Sequence, residues 1–342
     1  TVTTSNAAAG TLITPGTSGT TATVAIAPGQ SASPPTLAEG GIAFDPNDAA
    51  GTTQLTTLTA NVAGLTTFPV SRTITVTGPV LSVSVGGLAR IGAGLQVADC
   101  CIVTASQPAP SGGLSVTLTS DAPTRLLVAE APVSAGGQAA IVVVIPAGST
   151  TVSFSLQGLE GASGSATVTA TTPGYTDGTS PSIVVEPPVL TLVGLISSLA
   201  PTAPADEFQV RIGLASSPGG TNFGTAQALR EGGPGAVSAT VTTTNESAGV
   251  LVTTVGTGLG ATVVIGPGQS ESPNTVGAGG VAFDPNDAAT GAATTVSVAI
   301  GGFSPTSGAS QSVTVGTPLV IEVRYYTAEP FVVGAGLECE SC

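Results

Sequence analysis

The sequence predicts an all-β chain made of tandem antiparallel β-sandwich modules. Three observations lead there. Apolar residues fall in short runs that alternate with small polar ones, glycine and proline punctuate those runs throughout, and one block of sequence recurs at a fixed spacing.

The alternation is plain in Ser82-Val83-Ser84-Val85, in Ser115-Val116-Thr117-Leu118-Thr119 and in Thr151-Val152-Ser153-Phe154-Ser155-Leu156. A period of two puts Val, Leu and Phe on one face of a strand and Ser or Thr on the other. One buried face and one wet face is the pattern of an antiparallel sandwich. Val and Thr also favour strands, because branching at Cβ restricts them to extended forms. Residues 140–145, Ala-Ile-Val-Val-Val-Ile, are a continuous apolar run and predict a strand buried on both faces. Glycine (47) and proline (26) are abundant, and helix formers at helical spacing are nearly absent. Aromatics make up only 3% of the chain, so the cores are thin and filled by Val, Leu, Ile and Ala. Stacking against neighbouring modules would add stability.

The repeat sets the organisation. Residues 22–51 match residues 261–290, with Phe44-Asp45-Pro46-Asn47-Asp48 opposite Phe283-Asp284-Pro285-Asn286-Asp287 at a shift of 239. The same shift aligns Val2-Thr3-Thr4-Ser5-Asn6 with Val241-Thr242-Thr243-Thr244-Asn245, and Pro79 with Pro318. A shift of 242 aligns Gly92-Ala93-Gly94-Leu95 with Gly334-Ala335-Gly336-Leu337 and sets Cys100 opposite Cys342. A weaker copy lies between, where Ile145-Pro146-Ala147-Gly148-Ser149 parallels Ile265-Gly266-Pro267-Gly268-Gln269. The openings Pro79-Val80-Leu81, Pro188-Val189-Leu190 and Pro318-Leu319-Val320 recur after 109 and then 130 residues. That spacing is near the ~100 residues of one Ig-type sandwich. Four pieces result. Residues 1–78 are the back part of a domain, 79–187 and 188–317 are two whole domains, and 318–342 are the front strand region of a further one.

Composition excludes several kinds of chemistry. There is no Lys, His, Met or Trp, and the six cations are Arg72, Arg90, Arg125, Arg211, Arg230 and Arg324. Without histidine there is no Ser-His-Asp or Cys-His pair and no imidazole metal site. Without lysine there is no Schiff base. A net charge of -14 with six cations does not suit nucleic-acid binding. The longest apolar stretch, residues 189–200, is interrupted by Thr191, Gly194, Ser197 and Ser198 and falls short of the ~20 residues of a membrane-spanning helix. The expectation is a non-enzymatic, secreted or cell-surface protein with no membrane span and no resident cofactor.

Residues 116–178 resemble the Ig-like repeats of very large bacterial cell-surface and secreted proteins. The parts that carry the likeness are Leu118-Thr119-Ser120-Asp121, Ile145-Pro146-Ala147-Gly148-Ser149, and Gly164-Ser165-Ala166-Thr167-Val168 leading to Pro173-Gly174-Tyr175. The Gly-Gly-x-Ala-Phe-Asp-Pro pattern at 40–46 and 279–285 is similar to the same class. The resemblance covers almost the whole chain. It implies an Ig-like fold, an extracellular setting and a spacer, adhesin or filament role, with no active site.

The two end pieces complement each other. The chain begins at Thr1 with neither an initiator Met nor a signal peptide, so it reads as a processed product or part of something longer. Residues 318–342 placed beside residues 1–78 of another copy would make a nearly complete sandwich. Either copies join head to tail by lending strands, or the sequence is a window on one giant polypeptide. Both give an extended fibre. The expected partner is therefore the chain itself, or tandem neighbours in it.

Candidate sites are few. Cys100, Cys101, Cys339 and Cys342 suggest oxidative crosslinking. Adjacent cysteines are poorly placed for a normal disulfide, so the expected pairing joins Cys100/Cys101 to a Cys339/Cys342 cluster of a neighbouring domain or subunit. Half a zinc site at Cys339-x-x-Cys342 is the rival. Asp45, Asn47 and Asp48, with Asp284, Asn286 and Asp287, could supply oxygens to Ca²⁺. The competing reading is a turn in which Asp and Asn side chains bond their own backbone. Asn245-Glu246-Ser247 has the form of a glycosylation sequon. Tyr325-Tyr326 beside Arg324 is the one aromatic and cationic cluster a glycan-binding module would use.

Overall fold

The computed structural model describes residues 1–47, 53–62, 64, 70–131, 133 and 135–316, with the backbone of 322–324 and 330–332. Among these residues there is no α-helix, only β-strands and single-turn 3-10 helices. The chain is all-β and built of tandem Ig-like antiparallel sandwiches. It divides into two compact units. Unit 1 comprises Thr1–Ala89, Ala98–Leu156 and Ser165–Ile183; unit 2 comprises Arg90–Val97, Gln157–Gly164 and the chain from Val184 on. Two short segments inside the expected 79–187 module, 90–97 and 157–164, thus cluster with unit 2.

Unit 2 holds the most complete sandwich. One sheet has the order Ser198–Leu199, Ser310–Val315, Ala292–Ala299, Val237–Thr243, Gly260–Ile265. The other runs Gly256–Gly258, Gly249–Thr253, Val281–Pro285, Asp206–Ala215, Val189–Val193, Ser304–Pro305. Alternation works as the sequence predicts. Along Val237–Thr243 the buried residues are Ala239, Val241 and Thr243, with Ser238, Thr240 and Thr242 outside. Inward residues of both sheets, such as Val241, Val296, Leu190, Phe208 and Phe283, form one buried cluster. Each large apolar side chain so buried contributes about 1.5–3 kcal/mol.

Unit 1 holds two sets of sheets. In the N-terminal set, Thr21–Ala22, Val2–Thr4, Gln54–Ala60 and Val70–Val76 make one sheet, and Thr17–Gly19, Gly10–Thr14 and Ala43–Pro46 make the other. In the second set, Ala140–Ile145, Leu114–Ser120, Val168–Thr171 and Gly178–Thr179 form one sheet. Leu81–Ser84 pairs with the end of Leu95–Ala105 in the sheet that also contains Thr151–Gly158 and Leu126–Glu130.

The run 140–145 departs from expectation. It is an edge strand, not a strand buried on both faces. Val143 and Ile145 point into the core, while Val142 and Val144 are 57% and 49% exposed. Among the described residues its one ladder within the sheet is with Leu114–Ser120. A continuous apolar run does not reveal whether both faces are covered, because that depends on what packs outside the sheet.

A shared local device explains the recurring Phe-Asp-Pro strand. Gly249 (φ +158°) pairs with Pro285, and Gly10 (φ +155°) pairs with Pro46. A Cβ at either glycine would lie 2.6 Å from the ring Cζ of Phe283 or of Phe44. Only glycine lets the ring lie across the neighbouring strand. Gly249→Ala is therefore expected to lower stability by about 1–3 kcal/mol through overpacking, measured by thermal or denaturant unfolding. An unchanged midpoint would contradict this packing.

Candidate functional site

The feature that stands out is a sheet edge. In the sandwich of unit 2, Val281–Pro285 has a strand on each side. Gly249–Thr253 lies on one, and on the other Asp206, Glu207 and Phe208 pair with Phe283, Ala282 and Val281. Shifted by 239 residues, the same sequence in the N-terminal sandwich is Ile42-Ala43-Phe44-Asp45-Pro46. Ala43–Pro46 pairs with Gly10–Thr14 on one side, and among the described residues no strand lies on the other.

Burial follows the number of described neighbours. Val281, Ala282 and Phe283 are all 0% exposed, whereas Ile42, Ala43 and Phe44 are half-buried. The opposite sheet shows the same contrast. Val313 and Val315 are 0% exposed, with Leu199 opposite Val315 in a short parallel pairing. Their counterparts Ile74 and Val76 are half-buried on a strand that ends the sheet among the described residues. The N-terminal sandwich therefore presents an apolar floor and a row of ladder groups along Ile42, Ala43 and Phe44. Such an edge is a template for another strand.

Asp45 and Asp284 lie on strands, and Asn286 and Asp287 open the turn that follows the second of these. Asn286 Oδ1 accepts from the Ala288 N–H at 2.9 Å, and Asn286 N–H donates to the Ala248 carbonyl at 3.0 Å. Asp284 pairs through its backbone with Val250. In the first copy Asn47 N–H donates to the Ala9 carbonyl, and Asn47 Nδ2 donates to that of Ala8 at 3.2 Å. Asp45 is exposed on its strand, and Asp48 lies outside the described residues. Among the described residues no group of three or more acidic or cysteine side chains converges as metal ligands. Asn245 of the sequon spans a turn: Nδ2 donates to the Ala293 carbonyl at 2.9 Å and Oδ1 accepts from the Ser247 N–H at 3.1 Å. Tyr325, Tyr326, Cys339 and Cys342 lie outside the described residues, and of Arg324 only the backbone is described.

The cysteines differ from expectation. Cys100 and Cys101 are bonded to each other, with Cα atoms 3.7 Å apart. Asp99 precedes them at φ +48°, and its N–H donates to Ser155 Oγ at 3.0 Å. This left-handed residue breaks the regular in-out alternation just before the pair, which the sequence did not reveal. The disulfide takes Cys100 and Cys101 out of the expected pairing with a Cys339/Cys342 cluster. Cys101 is 0% exposed, so its sulfur fills the core.

Unit 2 consumes half of the chain's cations. Arg90 Nη1 donates to Glu186 Oε1 at 2.7 Å and Nη2 to the Ala215 carbonyl at 2.8 Å. Arg230 grips Glu160 through two nitrogens, at 3.1 and 2.8 Å. Arg211 pairs with Glu271. Buried glutamines complete the set: Gln227 Oε1 accepts from the Gly92 N–H, and Gln157 Nε2 donates to Gln96 Oε1. These contacts explain why 90–97 and 157–164 belong to unit 2. They tie both segments to 184–231, together with the backbone pairing of 90–92 to 184–186 and of 95–96 to 228–229, and Leu95 is part of the buried cluster of unit 2.

No family profile and no curated protein sequence matches the chain. It is similar to solved structures of bacterial surface proteins. The Yersinia pseudotuberculosis adhesin InvE is 16% identical over 71% of this chain, with a TM-score of 0.24, and this chain spans 60% of it. Domains 5-6 of the S-layer protein SbsC are 16% identical over 70% of this chain and 100% of that one, at 0.24. The C-terminal domain of the Streptococcus agalactiae AgI/II polypeptide BspA is 11% identical over 70% and 100%, at 0.21. TM-scores this low carry no weight, and the sandwich assignment stands on the strand pairing.

Two measurements bear on these contacts. Arg90→Ala leaves the buried Glu186 carboxylate without its cation and is expected to cost about 2–4 kcal/mol, whereas exposed Arg72→Ala should stay within about 0.5 kcal/mol. Equal midpoints in thermal unfolding would remove the role given to Arg90. Peptide mapping without reductant should return Cys100 and Cys101 in one peptide, lighter by two hydrogens than after reduction. A Cys100 or Cys101 peptide crosslinked to Cys339 or Cys342 would contradict the pairing described here.

Proposed function

We propose that this chain is a structural component of an extracellular or cell-surface fibre. Its Ig-like sandwiches act as rigid spacers, and the open N-terminal sandwich is completed by a strand from a neighbouring copy or from the continuation of a longer chain. One observation carries the reading: the same Phe-Asp-Pro strand is buried between two neighbours in one sandwich and half-exposed beside a single neighbour in the other. An apolar, hydrogen-bonding edge of this kind gains burial and backbone bonds when it accepts a strand. A contact between two different surfaces propagates instead of closing, which is how filaments form.

Other features support the same reading. Three arginines are spent inside unit 2, so the molecule directs little positive charge outward. The disulfide at Cys100 and Cys101 suits an oxidising compartment. A surface with a net charge of -14 resists indiscriminate association and leaves specific strand pairing to set assembly.

Negative-stain electron microscopy of the purified chain, observed as concentration rises, should show thin fibres beaded at the spacing of the sandwiches. Particles that stay monomeric at every concentration would overturn the proposal. A glycan array is expected to give no ligand; specific, saturable glycan binding would favour an adhesin module instead.

A further inference from the structure

We infer that the edge strand Ala140–Ile145 of unit 1 pairs with the same strand of a second copy of this chain, antiparallel and across a two-fold axis at Val142. The contact is separate from the fibre contact proposed above. It uses a different strand, and it closes on itself as a pair.

The argument starts from the edges of the sheets. An unprotected edge strand invites pairing, and proteins blunt edges by keeping them short or by placing charge or proline on them. Most edges here are short. Thr21–Ala22, Gly178–Thr179, Ser198–Leu199 and Ser304–Pro305 have two residues each. Among the described residues four edge strands have five residues or more. Val70–Val76 carries Arg72, and Leu126–Glu130 ends on Glu130. Ala140–Ile145 and Gly260–Ile265 carry neither charge nor proline.

These last two hold the same place in their sandwiches. Both run exposed, half-buried, exposed, buried, exposed, buried. Their outer faces differ. Ala140–Ile145 shows Val142 and Val144, whereas Gly260–Ile265 shows Thr262 and Val264. Thr253, Val255 and Thr257 line one groove with Thr240 and Thr262, so a hairpin flanks the second edge. The first edge is the more apolar of the two.

The backbone points the same way. The Ser120 N–H donates to the Ala139 carbonyl at 2.9 Å, directly opposite it, and the ladder continues with Leu118 opposite Ile141 and Val116 opposite Val143. In an antiparallel ladder, residues that exchange bonds with the partner alternate with residues that do not. Ile141, Val143 and Ile145 therefore bond to Leu114–Ser120. Ala140, Val142 and Val144 turn their N–H and C=O groups to the open edge.

A second copy fits that edge. With Val142 opposite Val142, Ala140 falls opposite Val144 on both sides of the axis. Every outward-facing residue of the strand then exchanges backbone bonds with another. The valines of the two copies meet on one face as cross-strand β-branched pairs, covering apolar surface that is open in the single chain. Pro146 has no N–H and ends the ladder after Ile145. Charge selects an identical partner. Copies with a net charge of -14 repel one another, yet residues 131–159 hold no charged side chain, and neither do the other strands of this sheet, Leu114–Ser120, Val168–Thr171 and Gly178–Thr179. Two copies meet here without bringing like charges together.

The test places Val142→Cys in the full chain with Cys339→Ser and Cys342→Ser. Residues in a bonded pair have Cα atoms about 5.5 Å apart, within disulfide reach. After mild oxidation a non-reducing gel should show a band at twice the chain mass, lost on reduction. Thr262→Cys, at the equivalent place on the other edge, should remain a single band. Adding Val144→Lys to Val142→Cys puts a charge on the edge and should cut the dimer band at least about tenfold, with the thermal unfolding midpoint unchanged because Val144 is exposed. No dimer band from Val142→Cys, an equal band from Thr262→Cys, or a band that survives Val144→Lys would overturn the pairing. Fibres in the microscope from a chain that gives no dimer band would overturn this pairing and leave the fibre reading standing. A dimer band from a chain that forms no fibres would do the opposite.

Discussion

A β-strand has two hydrogen-bonding edges, and the Phe-Asp-Pro strand needs a neighbour on each to bury its phenylalanine. The rest of the structure depends on that constraint. Where it is met, at Val281–Pro285, the ring of Phe283 sits against Gly249 and the core closes around it. Where the described residues meet it on one side only, at Ala43–Pro46, the same ring has its glycine and is half-buried. Two copies of one sequence thus differ in burial for a reason outside the copied residues. A ladder partner contributed from far along the chain decides the outcome.

Scarce charge is used in a matching way. With six cations against 20 acids, the chain could scatter its arginines over the surface to offset repulsion. Unit 2 instead takes Arg90, Arg211 and Arg230 into ion pairs, with the Ala215 carbonyl accepting a further bond from Arg90 and Gln227 Nε2 donating to the Arg90 carbonyl. Partly buried pairs of this kind specify which segments meet more than they add stability. Thin cores of Val, Leu and Ala leave room for this, because small side chains offer little shape to enforce one arrangement.

Repeated polar devices hold the turns. Thr243 and Thr294 hydroxyls lie 2.7 Å apart in the unit 2 sandwich, and Thr4 and Thr56 lie 2.6 Å apart in the N-terminal one. Asn245 and Asn6 each span a turn with the side-chain amide. These bonds are local to a hairpin or a pair of strands and are made whether or not the sandwich is complete. Residues that depend on the far strand, such as Ile42, Phe44, Ile74 and Val76, change environment between copies.

Sequence alone determined what depends on short-range periodicity and copying. The all-β class, the inward and outward faces of strands such as Val237–Thr243 and the turn at Asn286 follow from side-chain order, because each involves residues close in the chain, and the repeat at 239 residues follows from copying. Tertiary structure alone decided matters that rest on neighbours in space. It made 140–145 an edge strand, because among the described residues it pairs only with Leu114–Ser120 in that sheet. It bonded Cys100 to Cys101, next to a left-handed Asp99. It gave 90–97 and 157–164 to unit 2, where the ladder and apolar partners of the first and the polar partners of both lie. It also left one Phe-Asp-Pro strand covered and its twin open, since the number of neighbours a strand has is fixed by pairing across the fold and is not written in the strand itself.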